Sequence, residues 1–125
     1  MSRIDIGALG EQIAGDFLMK KGFRIIEKNY RKPWGEIDIV AKKAGVMRFV
    51  EVKTVSREMD RHVSREPSHE PEEMAHAFKL EKLSRVVETY MSANKLDMEY
   101  QIDVVTVVLD SRKRIARCRL YEQVL

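Results

Sequence analysis

The chain is expected to be an α/β protein, with a central mixed β-sheet flanked by helices in the order α-β-β-β-α-β-β. Three observations predict this. Gly7–Lys20 and Ala75–Ala93 carry apolar residues at helical spacing. Glu36–Lys42 and Val46–Val55 alternate polar with apolar on either side of the tight turn Ala44-Gly45. Ile102–Leu109 is a nearly continuous apolar run, the mark of a strand covered on both faces.

Taken in order, the first helix presents Leu9, Ile13, Ala14, Phe17 and Leu18 as one arc, and Gly22 ends it. Phe23–Lys28 reads as a strand, and Trp34-Gly35 as the turn into Glu36–Lys42. The hairpin strands follow. Ser56–Glu73 then holds two of the three prolines and almost no large apolar residues, so positions 56–74 are expected to be a long surface loop. The second helix turns Ala75, Phe78, Leu83, Val86, Val87, Tyr90 and Met91 inward. Ile115–Tyr121 alternates and reads as an outer strand. The 125 residues suffice for one domain, 1–125, with one core.

Composition narrows the setting. No apolar run approaches the ~18 residues of a membrane span, and the start MSRIDIGALGEQ lacks the apolar stretch of a secretory signal. The single cysteine, Cys118, excludes an internal disulfide and a cysteine zinc site. A reduced, cytoplasmic home without membrane attachment is expected. The net charge of +3 is uneven: residues 1–55 carry a net +4, residues 56–75 a net −3 and residues 76–125 a net +2. That fits a nucleic-acid partner, although a solvated mixed-charge surface would look the same.

The hairpin concentrates the chemistry. With Ala44 and Gly45 as its two turn residues, Asp38 falls opposite Glu51, Glu36 opposite Lys53 and Val40 opposite Phe49. Alternation then places Glu36, Asp38, Glu51 and Lys53 on one face and Ile37, Ile39, Val50 and Val52 on the other. Opposed carboxylates lie about 4.5–5.5 Å apart at Cβ and repel. Lys53 supplies one counter-charge; Mg²⁺ or Mn²⁺, which favour hard oxygen ligands, would supply the rest. Lys53 then stands where it can position a water for attack on a phosphate. An exposed hairpin laced by weak surface ion pairs would show the same alternation.

Asp38 with Glu51-Val52-Lys53 matches the D…ExK signature of the PD-(D/E)XK, or restriction-endonuclease-like, superfamily. More closely, the chain resembles the YraN family of predicted endonuclease-like proteins. The matching text is Gly7-x-x-Gly10-Glu11-x-x-Ala14, Lys21-Gly22-Phe23, Asn29-x-Arg31, Gly35-Glu36-Ile37-Asp38-Ile39-Val40 and Phe49-Val50-Glu51-Val52-Lys53, with Lys79 and Asp103-Val104-Val105 further on. The resemblance implies a restriction-endonuclease-like fold with a central four-stranded mixed sheet, and similarity to archaeal-type Holliday junction resolvases. It implies Asp38, Glu51, the Val52 carbonyl and Glu11 as metal ligands, and Lys53 as the residue that orients water or stabilises the transition state. It also implies Lys79 as a phosphate contact, and Glu36 as a support for the ligands. The long His-, Pro- and Glu-rich loop departs from the shorter glycine-containing stretch usual after the Lys.

Outside this constellation, His62, His69 and His76 recur every seven residues, but Pro67 and Pro71 interrupt any helix that would align them. Loop histidines are the plain reading, and a transition-metal site is the alternative. Arg31, Lys32 and Trp34 are candidate nucleic-acid contacts, with Trp34 able to stack on a base. Arg112-Lys113-Arg114, Arg117 and Arg119 could track a phosphate backbone, or simply guard an edge strand by charge. Cys118 reads as a small core residue. The expectation is a Mg²⁺- or Mn²⁺-dependent endonuclease acting on DNA, branched or junction-like, as a homodimer. A nucleic-acid-binding module without activity, and a protein scaffold docking through the acidic loop 56–73, are the alternatives.

Overall fold

A computed structural model describes residues 2–57, 80–110 and 112–125. Helix α1 spans Arg3–Lys20. It begins ahead of the expected Gly7 because Ser2 and Asp5 form a reciprocal capping box. The Ser2 hydroxyl accepts the Asp5 N–H at 3.1 Å, and Asp5 Oδ2 accepts the Ser2 N–H at 3.2 Å. Strands β1 (Arg24–Lys32), β2 (Gly35–Lys43) and β3 (Val46–Arg57) follow. Helix α2 (Glu81–Ala93) leads into β4 (Tyr100–Asp110) and β5 (Ile115–Tyr121). β1 runs past the expected Lys28, so the turn falls at Pro33-Trp34 and Gly35 opens β2.

The sheet order is β1-β2-β3-β4-β5. β3 and β4 are parallel and the other neighbours antiparallel, so α2 lies in the one parallel crossover. The sheet has five strands where the resemblance implies four, because β5 pairs along the outer side of β4. The β2–β3 hairpin closes as expected. Ala44 (φ 53°) and Gly45 (φ 76°) both take left-handed backbone, the pair a two-residue turn needs to match strand twist. Register then runs from Lys43↔Val46 to Ile39↔Val50.

Both faces of the sheet are covered. On one, Leu83, Val86, Val87, Tyr90 and Met91 of α2 pack on Val40, Phe49, Ile102 and Val104. On the other, Ala14 and Leu18 of α1 pack on Ile39, Val50, Val105 and Val107. The inward residues expected of α2 are buried as read, while Ala75 and Phe78 lie outside the described residues. One expectation needs correction. Ile37 joins the α2-side core with Tyr30, whereas Ile39, Val50 and Val52 join the α1-side core. Alternation fails between Ile37 and Ile39, opposite the point where Asn29, between the Lys28↔Ile39 and Tyr30↔Ile37 pairs, takes the left-handed φ of 55°.

α1 approaches β3 closely at Gly10. A Cβ there would lie 1.8 Å from Thr54 Oγ1, so no side chain fits. This contact sets the height of Glu11, the next residue, over the sheet. Near the Ala44-Gly45 end of the sheet, Asp103 is fully buried. It accepts hydrogen bonds from Gln101 Nε2 and Gln123 N, both at 2.8 Å, and from Arg48 Nη1 at 3.3 Å. Arg48 Nη1 also reaches Glu122 Oε2 at 2.8 Å. Asp103, part of the matched text, therefore anchors the C-terminal segment.

Candidate active site

The site forms where the sheet divides. β2 stays paired with β1 as far as Gly35, and β3 stays paired with β4 as far as Arg57. Between β2 and β3, however, pairing runs only from the turn to Ile39 and Val50. Beyond that point the two strands part, and Asp38 and Glu51 stand at the base of the fork. Asp38 Oδ2 accepts the Val52 N–H at 2.8 Å, taking a donor the ladder no longer uses. The same carboxyl shares a hydrogen bond with the Glu51 side chain. Opposition of these two residues, expected from the hairpin register, is thus met by side-chain contact.

Asp38 is only 6% exposed. Burial, the hydrogen bond to Glu51 and the Glu51 charge push its pKa up to about 9, against the pull of the Val52 N–H. Near neutral pH the Asp38 carboxyl therefore holds a proton against Glu51. Glu11 looks into the same cleft from α1. Its pKa is raised by burial first, then by the Asp38 and Glu36 charges; a hydrogen bond with the Asn29 side chain and the Arg31 charge oppose the shift.

A cleft of about 580 Å³ opens over this fork, lined by Arg3, Gly7 and Glu11 of α1, Asp38 of β2, and Glu51, Val52, Lys53 and Thr54 of β3. Glu11, Asp38, Glu51, Val52 and Lys53 are thus brought together. Among the described residues, no three His, Cys, Asp or Glu side chains converge closely enough to enclose an ion unaided. The close side-chain donors are a pair, Asp38 and Glu51. Their all-oxygen chemistry, with a proton held where a counter-charge belongs, fits a hard divalent cation.

Glu36 departs from its expected partner. The two-residue turn places it opposite Lys53, but the ladder ends at Ile39↔Val50, before that pair forms. Its β1 neighbour Arg31 takes it instead, with Arg31 Nε 2.7 Å from Glu36 Oε2. The β1–β2 turn and its flanks carry Arg31, Lys32 and Trp34, the candidates for nucleic-acid contact. Arg31 is held by Glu36, Lys32 Nζ lies 5.2 Å from the Tyr30 ring centre, and Trp34 is 41% exposed with the Arg85 guanidinium 5.8 Å from its ring centre. Lys79, the three histidines and residues 58–74 of the acidic loop lie outside the described residues. Cys118 packs beside Leu120 against the α1-side core, as expected.

Two residues of the site escaped the sequence reading of its chemistry. Asn29 is only part of the matched text, yet its side chain lies where it lowers the Glu11 pKa. An Asn in a strand pattern is the available signal, since it tolerates left-handed backbone. Arg3 enters the cleft because the capping box extends α1 over it, and the Ser2-x-x-Asp5 spacing signals that extension.

Residues 10–107 match the uncharacterised protein family UPF0102. Similar proteins, each named a UPF0102 protein, occur in several bacteria. The one from a Nitratiruptor species is 42% identical over 102 residues, 82% of this chain and 81% of that protein. That from Dictyoglomus thermophilum is 34% identical over 116 residues, 92% of each. That from Alkaliphilus metalliredigens is 39% identical over 112 residues, 88% of this chain and 90% of that protein. With most of its length matched, the chain belongs to the uncharacterised protein family UPF0102, the YraN family.

Proposed function

We propose that this protein is a divalent-metal-dependent nuclease that hydrolyses phosphodiester bonds in DNA. The observation that carries the reading is the Asp38–Glu51 pair at the fork, with Lys53 two residues along β3 in the same cleft. Opposed, buried carboxylates are costly in a sheet without a cation to accept. The D…ExK resemblance assigns such a pair to metal-dependent phosphodiester cleavage.

In this reading Asp38 and Glu51 would hold Mg²⁺ or Mn²⁺, and the Val52 carbonyl and Glu11 are the further donors that the resemblance implies. The ion would neutralise charge developing on the phosphate and make a water more acidic. The chain's own residues do the rest. The Val52 N–H holds Asp38 Oδ2 in place, so the pair is oriented before an ion arrives. Asn29 favours the charged form of Glu11. Lys53 reaches the cleft as an ammonium donor that aligns the attacking water or the phosphate oxygens. Arg3 adds a second cation at the cleft wall for the DNA backbone.

The test is cleavage of labelled single-stranded, duplex, flap and four-way-junction DNA with Mg²⁺ or Mn²⁺, comparing wild type with Asp38→Ala and Lys53→Ala. Metal-dependent cleavage lost in both variants supports the reading, and the preferred substrate defines the role. Salt-dependent binding without cleavage would replace the nuclease by a binding module of the same fold.

A further inference from the structure

The register across β3, β4 and β5 sets Lys53 of the cleft in a row of residues on one sheet face. Lys53 pairs with Thr106, and Thr106 with Arg119. Val55 pairs with Val108, and Val108 with Arg117. The preceding row, Glu51–Val104–Tyr121, fixes which face this is, since Val104 and Tyr121 belong to the α2-side core. Cys118 and Leu120 turn to the α1 side. Lys53, Arg117 and Arg119 therefore share a face, and each is exposed. Beside the two arginines lies a depression of about 190 Å³, lined by Thr106, Val108, Arg117 and Arg119 with Cys118 at its wall. Arg114, also in the basic run, lines an apolar groove with Leu9 and Ile13 instead.

We propose that this row is the track for the DNA strand being cut, with Arg119 and Arg117 gripping phosphates beside the one placed over Lys53. The inference rests on the nuclease reading and adds where the strand runs. Two strand spacings put Lys53 and Arg119 roughly 10 Å apart, and Arg117 stands roughly 7 Å from Arg119 along β5. Guanidinium groups suit the task because their planar fork binds phosphate through paired hydrogen bonds. The occupant is argued from charge: Arg119 and Arg117 continue the line of Lys53 across the sheet to the edge strand, between the rows that carry Glu51 and Asp110.

The test is fluorescence anisotropy of labelled single-stranded and duplex DNA in EDTA across a NaCl series. It compares wild type, Arg117→Gln/Arg119→Gln, Arg117→Lys/Arg119→Lys and Lys20→Gln/Lys21→Gln. Two lost phosphate contacts should flatten the log–log salt slope by about 1.8 for duplex or about 1.4 for single strands. Affinity at low salt should fall at least about tenfold. The Lys pair should keep the slope, and the Lys20/Lys21 change, at the far end of α1, should leave it alone. Wild-type binding with an unchanged slope in the Gln pair would overturn the track and spare the nuclease reading. So would a slope that falls as much in the Lys pair, since charge would then not be its cause. Failure of the wild type to bind any DNA would remove the nuclease reading and the track together.

Discussion

Replacing Asp38 by Asn should make the metal-free protein more stable, and increasingly so as the pH rises. The folded-state pKa of Asp38 is pushed up to about 9, above its ordinary 3.8, so the folded chain binds more protons than the unfolded chain between those values. Stability is then fullest below pH 3.8 and falls as the pH climbs through the window. Each pH unit is worth about 1.4 kcal/mol, so the buried carboxyl costs up to about 4 kcal/mol at pH 7. Asn keeps the geometry: its carbonyl can accept the Val52 N–H and its amide can donate to Glu51, with no proton to hold. A gain of roughly 2–4 kcal/mol at pH 7 corresponds to a melting-temperature rise of about 10 °C for a chain of this length. The assay is thermal unfolding of both proteins in EDTA from pH 4 to pH 9. The difference should be near zero at pH 4 and widen steadily. A difference that stays flat from pH 5 to pH 8 would refute the claim that Asp38 carries the proton.

Other substitutions probe the parts that position the site. Gly10→Ala places a Cβ against Thr54 Oγ1 and should destabilise by about 1–3 kcal/mol in a denaturant melt, with Thr54→Ala recovering part of the loss. Asp103→Ala leaves Arg48 buried with a lost partner and should cost about 3–5 kcal/mol by chemical denaturation, while leaving metal affinity unchanged in any protein that still folds. Arg3→Ala should weaken DNA binding several-fold in an anisotropy titration with little change in melting temperature, since Arg3 is exposed at the helix start. Asn29→Ala should raise the Glu11 pKa further, seen as an upward shift in its carboxyl titration by NMR, because a hydrogen bond that lowers it is gone.

Most of the fold can be read from local pattern because local physics decides it. The Ala44-Gly45 turn fixes the hairpin register, the α2 face follows helical spacing, and the unbroken β4 run reflects cover on both sides. The carboxylate pair follows from that register. What local pattern does not carry is the fork. It depends on the left-handed backbone at Asn29, on Val52 turning its N–H to a side chain, and on β3 following β4 rather than β2. Those are choices between competing partners distant in sequence. For the same reason Ile37 leaves its expected face and Glu36 pairs with Arg31 instead of Lys53. Asn29 gains its role only once α1 crosses β3 at Gly10 and brings Glu11 within reach.

In the proposed chemistry the proton between Asp38 and Glu51 holds the place of a divalent cation. Calorimetric titration of Mn²⁺ at pH 7, in two buffers of different ionisation enthalpy, measures ion binding and proton release together. The wild type should bind Mn²⁺ with release of about one proton per ion, and Asp38→Asn should show no such binding. Wild-type protein that takes up no Mn²⁺, or that binds it without releasing a proton, would contradict that chemistry.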